Sequence, residues 1–595
     1  MNTNMNTKGK TMIMTPDETD AVLYRFAGVP SLTEWDRLSV SPFPHLPVQL
    51  AAQIIDGEIG DTDFAALLAK WVQEDRQQRP VGGRRATVST RSIMIITLMH
   101  WIAGESASIR HMARTMEARL TDEQKRLIGI EHIDADGTSW YNRLSSATKA
   151  MHEVMDPAPM PKYSRKESKK LLARDKIGRH RKLTGEQRIE LHSYRRSIRD
   201  VRAVRRERLE DFTFALISSI VTQARAINLL DGYNGDVALD GTYVRVDGKV
   251  SQEDLSLPAL STNLEAGAYA RRGNHRPPRE KGEVRYRFGF EADIVTMTSG
   301  TPSIPNLVLG ATLHRPGAIR RVASTLFPRI NELRLPVGNI SVDRAYNGLK
   351  THHFHEVLMQ FGYDFVFDYK RKNLGVQASF HHDGVGYVMV EGTWYLASLP
   401  EQLANAVIHS QLPETDDNHI DKETLLKRIE ARRDYQLVRH GRRDRQGFQR
   451  YKLPDSTKYI AFDQVTGELL PKPTVKTVTI PATVGLRFAQ KYPYRTPEWH
   501  AAYNLRSEIE RKNGQLKHSR FEGLGDALRR PGRGYTAHAI ALAMSLVAHN
   551  IRTIDIFVRK AEGIDTTKSA SRRSRRDITE TLTDIRPQRD GRAAA

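Results

Sequence analysis

The stretch "DVALDGTYVRV" (236–246) decides how the rest of the chain is read. Val, Leu, Thr, Tyr and Val recur through it and the turn signal Asp247-Gly248 follows, the pattern of a β-strand. Further strand patterns come in quick succession. "VRYRFGFEADIVTMT" (284–298) and "NLVLGATLH" (306–314) read as two more strands, beyond a basic, proline-rich loop "RRGNHRPPREKGE" (271–283). "AIRRVASTLFPRINEL" (318–333) reads as a helix, and "VGNISVDRAYNG" (337–348) as a short buried strand ending in a turn. A helix near 349–361 then leads to the strand "YDFVFDY" (363–369). Three strands, a helix, a strand, a helix and a strand predict a mixed α/β domain.

Residues 372–499 interrupt this order. They hold β-like pieces ("GYVMVEGTWYLASL", "KYIAFDQVTGELL", "PTVKTVTI") and one charged helix, "KETLLKRIEARRDY". A polar helix over 500–518 and an apolar, buried helix over 537–560 follow, then a basic tail with the composition of a disordered segment. On the N-terminal side, 1–80 is poorly punctuated. From 89 to 120 the chain predicts helix, turn and helix, broken at Gly104-Glu105-Ser106, and 139–155 predicts another helix. Such a module reads equally as a DNA-binding unit or as an ordinary helical bundle. "DPAPMPKY" (156–163) reads as a linker, and 164–210 is a Lys/Arg-dense helical run whose sparse acids favour phosphate contacts over a plain solvated face. The resulting division is 1–155, helical; 156–230, basic helical linker; 231–371, α/β domain; 372–499, β-rich insertion; 500–560, closing helices; 561–595, tail. No internal repeat is visible.

The 595 residues carry 91 Lys plus Arg against 70 Asp plus Glu, a formal charge of +21. Such a balance favours a polyanionic partner, nucleic acid before an anionic membrane. There is no cysteine, which excludes disulfides, thiol catalysis and zinc ribbons and fits a reducing compartment. No secretory signal opens the chain, and the apolar stretches at 93–103 and 539–551 fall short of the ~20 residues a membrane span needs. A cytoplasmic protein with no membrane association is expected.

Two aspartates stand at the polar ends of apolar strands: Asp240 within the first, and Asp343 closing "NISVD". Either alone reads as a turn residue. Two on neighbouring strands of a basic α/β domain repel unless a cation lies between them, and Mg²⁺ takes such oxygen ligands. The helix "YNLRSEIERKNGQLK" (503–517) adds a third carboxylate. At ~100° per residue, with Tyr503 at zero, Arg506 falls near about −60°, Glu510 near about −20° and Lys517 near about −40°, while Glu508 falls near about 140° on the far side. Gly514 lies beside the stripe, where it allows a backbone to approach. One face thus carries an aromatic, two cations and one carboxylate. That arrangement suits metal on Glu510 and phosphate oxygens on Arg506 and Lys517. It is equally compatible with a plain i,i+4 ion pair between Arg506 and Glu510.

The spacing Tyr503-x2-Arg506-x3-Glu510-x6-Lys517 resembles the Tyr-Arg-Glu-Lys motif of a large branch of bacterial insertion-sequence DDE transposases. "LDGTYV" around Asp240 and "SVDRAYN" around Asp343 resemble the blocks that carry that branch's two aspartates, and 372–499 occupies the place of its mostly β insertion. The resemblance covers about 235–560; residues 1–230 match nothing nameable. It implies an RNase H-like mixed sheet flanked by helices. It further implies Asp240, Asp343 and Glu510 converging as catalytic residues on two Mg²⁺ ions, with Mn²⁺ able to substitute, and two-metal phosphoryl transfer at DNA ends. Tyr503, Arg506 and Lys517 would grip DNA phosphates, and Trp394 or Trp499 would stack on a flipped base. The expected partners are double-stranded DNA, as terminal inverted repeats and target, and a second copy of the chain on that DNA. The expected location is the bacterial cytoplasm, at the nucleoid. The competing readings are a non-catalytic DNA-binding derivative of a transposase and an unrelated nuclease with a similar metal site.

Other polar groups read more plainly. His352, His353, His355, His381 and His382 lack cysteine partners or a helical His/Glu pattern and read as surface histidines. Asp364 and Asp368 flank "FVF" as end-of-strand residues, and Glu291 and Asp293 read as outward-facing.

Overall fold

In the computed structural model, residues 14–39, 43–76, 87–130, 137–160, 185–246, 263–272, 284–444, 446–455, 468, 476–518, 521–530 and 532–564 are described. The basic segment 164–184, most of "KYIAFDQVTGELL" and the tail beyond 564 lie outside them.

The α/β expectation holds. The main sheet has six strands: β1 (Val237–Arg245), β2 (Gly267–Arg272), β3 (Val284–Met297), β4 (Val308–His314), β5 (Asn339–Val342) and β6 (Asp364–Phe367). β1 is central. It runs antiparallel to β3 from Val237↔Met297 to Arg245↔Gly289, and parallel to β5 from Val237↔Ile340 to Leu239↔Val342. β5 pairs parallel with β6, and β3 pairs antiparallel with both β2 and β4. Val237, Ala238 and Leu239 are buried, as expected of a strand with neighbours on both edges and layers on both faces. Sequence reading missed β2, whose residues "GAYARR" merge into the basic loop.

The helices Arg199–Ala226 and Tyr535–Ala561 pack on β4. Asn550 Oδ1 accepts the Val308 amide at 2.8 Å and its Nδ2 donates to Val308 O at 2.9 Å, so one buried side chain satisfies both polar groups of a strand residue beside a ladder irregularity. Tyr535–Ala561 is, among the described residues, the one helix long and apolar enough to cross a membrane, and it is largely buried inside this core.

The N-terminal helices are not a detached unit. Helices Pro16–Ala27, His45–Ile55 and Thr90–Ile102 share one continuous apolar core with the sheet. Thr90–Ile102 is buried from Ser92 to Trp101 and packs against Tyr535–Ala561. The proline-rich segment read as a linker is held down as well: Arg202 donates to Pro157 O at 2.7 Å, Arg195 to Ala158 O at 2.8 Å, and Thr536 to Asp156 at 2.9 Å. Some of the basic run is therefore spent internally. Arg195 also pairs with Glu265, and Arg208 with Glu74 and Asp75.

Among the described residues the insertion contains two three-stranded antiparallel sheets. One is β7 (Val376–His382), β8 (Val385–Val390) and β9 (Thr393–Leu396); the other is β10 (Val438–Arg439), β11 (Gln449–Lys452) and β12 (Thr477–Ile480). Apolar residues of both build a separate core, while the helix Lys422–Ala431 packs on the short helices Glu401–Ala404 and Ala406–His409 and sends Ile429 into the main core.

Candidate metal centre

Backbone register brings the two aspartates together. Leu239 pairs with Val342 on the parallel strand, so the next residues, Asp240 within β1 and Asp343 just past the end of β5, stand side by side. Asp343 caps the single helical turn Arg344–Asn347, its Oδ1 accepting the Ala345 amide at 2.7 Å.

The third carboxylate comes from the helix Ser507–Lys517, which packs on β1. The expected continuous helix over 500–518 is broken at Leu505-Arg506, giving Pro497–Asn504 and Ser507–Lys517. The join is a tight turn with Arg506 N bonded to Tyr503 O and Ile509 N to Arg506 O, three residues back in each case. The stripe survives this. The Arg506 guanidinium lies 5.8 Å from the Tyr503 ring centre, and its Nη2 donates to Glu510 Oε1 at 2.6 Å. Its Nη1 is 3.8 Å from Asp240 Oδ1. Asn513, one turn beyond Glu510, donates its amide to Asp240 Oδ2 at 2.9 Å. Glu508 turns away and pairs with Arg511 at 2.5 Å.

Asp240 registers this convergence. Burial raises its carboxyl, the Arg506 charge opposes that, the charges of Asp343 and Glu510 raise it again, and the Asn513 hydrogen bond lowers it. The outcome is an acid pushed up to about 6.

The donor set fits a hard divalent cation: three carboxylates and no sulfur or imidazole. Arg506 stands where a cation is needed, bridging Asp240 and Glu510. Two buried atoms here, Arg506 Nη1 and Asn513 Oδ1, have no hydrogen-bond partner. Glu510 is mostly exposed, and nothing lies within 4 Å of where a Cβ on Gly514 would stand, so no backbone approaches that glycine and this side of the helix is open. Lys517 sits in the last turn, about 10 Å along the axis from Glu510.

Several expectations require correction. Trp499 is 2% exposed; its ring stacks on Tyr503 at 4.7 Å and its Nε1 donates to Phe367 O and Gln490 Oε1. Trp394 is buried in the core of the insertion. Neither ring offers a free face for a base, because each fills an apolar core. Asp293 does not face outward: it is fully buried, hydrogen-bonded by Tyr346 and His314, in space left by the missing side chain of Gly241. Glu291, half-buried, accepts the Gly317 amide at 2.7 Å. His355 is a core residue, lowered to about 4 by burial, whereas His352, His381 and His382 are exposed. Asp364 is claimed by Arg439 and Lys491, and Asp368 by Arg344 and Tyr494.

A second cluster, His100, Glu105 and His111, brings potential metal ligands together in the N-terminal helices. Arg119 grips both Glu105 oxygens at 2.7 and 2.8 Å, and His111 adds a bond at 2.9 Å. Burial opposes ionisation of Glu105, yet these bonds pull it down to about 2. The carboxylate is already neutralised, so the group is an ion-pair network.

No family model matches the chain, and no curated protein is similar to it.

Proposed function

We propose that this chain is a DDE transposase that cleaves DNA at the ends of an insertion sequence and transfers the freed 3′-OH ends to target DNA. The observation that carries the reading is the approach of Asp343 and Glu510 to Asp240, with Arg506 bridging Asp240 and Glu510. The sheet supports it: β3 pairs antiparallel with β1, β2 and β4, and β1, β5 and β6 run parallel, a mixed sheet compatible with the RNase H-like domain that the resemblance implies.

In this reading Asp240, Asp343 and Glu510 would hold Mg²⁺, or Mn²⁺ in its place, which would supply polarisation of the scissile phosphate and a lowered pKa for the attacking water or 3′-OH. The residues of the chain do the rest. Asp240 is held by Asn513 and Asp343 by its capping bond, so both present oxygens in fixed directions. Glu510, paired with Arg506 in the metal-free site, would complete the carboxylate set that holds the metal, and the Arg506 guanidinium beside Tyr503 would meet a phosphate oxygen. In cleavage, water replaces the 3′ oxygen on phosphorus; in joining, the 3′-OH replaces a target 3′ oxygen. The net charge of +21 suits double-stranded DNA. Two element ends imply a dimer on DNA, acting at the nucleoid of a bacterial cytoplasm.

The test is strand cleavage and joining on DNA carrying the inverted repeats that flank the gene, with Mg²⁺ or Mn²⁺. Asp343→Ala should bind that DNA and not cut it. Normal cutting by the variant sinks the assignment. Binding without cutting by the wild-type chain favours a non-catalytic DNA-binding protein, and cutting without joined product favours a plain nuclease.

A further inference from the structure

Asp293 is an anomaly in the middle of the sheet. It lies on β3 at zero exposure, opposite Gly241 in the β1–β3 register. An isolated buried carboxylate is costly, so its partners carry the explanation. Tyr346 Oη donates to Oδ1, and His314 Nε2 lies 2.5 Å from Oδ2. The other His314 nitrogen, Nδ1, is 2.8 Å from Arg315 O. Each ring nitrogen of His314 thus faces an oxygen acceptor, an arrangement that favours the protonated, charged ring. Burial works against this charge, and the bond and charge of Asp293 outweigh it, raising the ring above the ordinary histidine value. The other oxygen of the Asp293 carboxyl is directed at Tyr346.

Tyr346 belongs to the turn Arg344–Asn347 that Asp343 caps, and it is itself buried. Gly241 directly follows Asp240. A Cβ at Gly241 would stand 3.1 Å from Asp293 Oδ1 and 3.4 Å from Tyr346 Oη. One buried carboxylate thus packs against the strand segment of one aspartate and is bonded to the turn of the other. Through the Tyr346 bond it restrains the turn that follows β5.

We propose that Asp293, His314 and Tyr346 form a buried clamp that sets the position of Asp343 relative to Asp240, making all three positioning residues of the metal centre. The proposal rests on the metal-binding reading of Asp240 and Asp343. Groups hydrogen-bonded directly to metal ligands change metal affinity about 10–100-fold when removed, and this clamp, one step behind them, should act at the low end of that range.

The full-length chain is titrated with Mn²⁺ alone by calorimetry, without DNA, and its melting temperature is measured in EDTA. Tyr346→Phe keeps the ring and deletes one hydroxyl; it should melt within a few degrees of wild type and bind Mn²⁺ about tenfold more weakly. In cleavage assays the half-saturating Mn²⁺ concentration should rise by the same factor while the rate at saturation stays near wild type. His314→Gln, which keeps a donor towards Asp293, should lose less affinity than His314→Leu. Unchanged Mn²⁺ affinity in a folded Tyr346→Phe overturns the clamp while leaving the metal centre standing. Should Tyr346→Phe not fold, equal affinities for His314→Gln and His314→Leu overturn it. A wild-type chain that binds no Mn²⁺ overturns the metal centre itself, and the clamp with it.

Discussion

Asn513 donates its side-chain amide to Asp240 Oδ2 across 2.9 Å, tying the helix that carries Glu510 to the strand that carries the first aspartate. The contact is direct and buried, and the Asn513 carbonyl oxygen beside it is unpartnered. A donor of this kind favours the ionised carboxyl. Asn513→Leu should therefore raise the Asp240 pKa beyond about 6. The acid limb of the cleavage–pH profile should move to higher pH, with activity largely restored at pH 8. An unmoved limb would show that this bond does not tune Asp240.

The two glutamates of the helix should separate cleanly. Glu510→Ala should lower cleavage by about three orders of magnitude, the scale of several kcal/mol in transition-state charge stabilisation. Glu508→Ala loses a pair with Arg511, worth about 0.5 kcal/mol, and its charge near Lys512, both away from the metal centre, and should cut DNA at nearly the wild-type rate. The reverse outcome would mean the helix presents its other face.

Asp240 should also leave a mark on stability. Its folded pKa, about 6, lies above the unfolded value, so the folded state holds a proton that the unfolded state has lost. Stability should fall as pH rises between about 4 and 6, with the full penalty present above 6. Asp240→Asn should stabilise the metal-free protein at pH 7 by roughly 2–3 kcal/mol at most. Chemical denaturation in EDTA at pH 5 and 7 measures this, and Mg²⁺ should stabilise the wild type but not the variant.

Lys512 faces the interior of the same helix. It is buried, donates to Asn306 O, and is lowered to about 7 by burial, opposed by Glu508. The unfolded lysine keeps its proton to about pH 10, so stability should rise with pH between about 7 and 10. Lys512→Met should flatten this rise and gain a few kcal/mol below pH 7, less the cost of stranding the Asn306 carbonyl. An identical rise in the variant would assign it to other groups.

Trp499→Ala should destabilise by about 3–5 kcal/mol, as expected for a buried aromatic. Because the ring supports Tyr503, cleavage should fall along with thermal stability. Full stability with selective loss of DNA-end binding would instead restore it as a base-stacking residue.

Strands β1, β3, β4, β5 and β6 and the helix Tyr535–Ala561 were legible in the sequence, because each is a run of apolar or β-branched residues between turn signals. β2 was not, since its residues carry no such run and its place depends on the length of β3. The spacing of Tyr503, Arg506 and Glu510 was legible too, because helical periodicity is local and survives a one-turn break.

What the sequence by itself determined was this local order: which segments form strands and helices, and which side of the last polar helix carries Glu510. The tertiary structure alone decided which groups meet. Asp240 and Asp343 stand side by side through a parallel register between segments about a hundred residues apart, and Asn513 reaches Asp240 from 273 positions away. Burial was equally hidden. Asp293, Trp394 and Trp499 change role once neighbouring layers cover them, because exposure depends on what packs against a residue and not on the residues beside it in the chain.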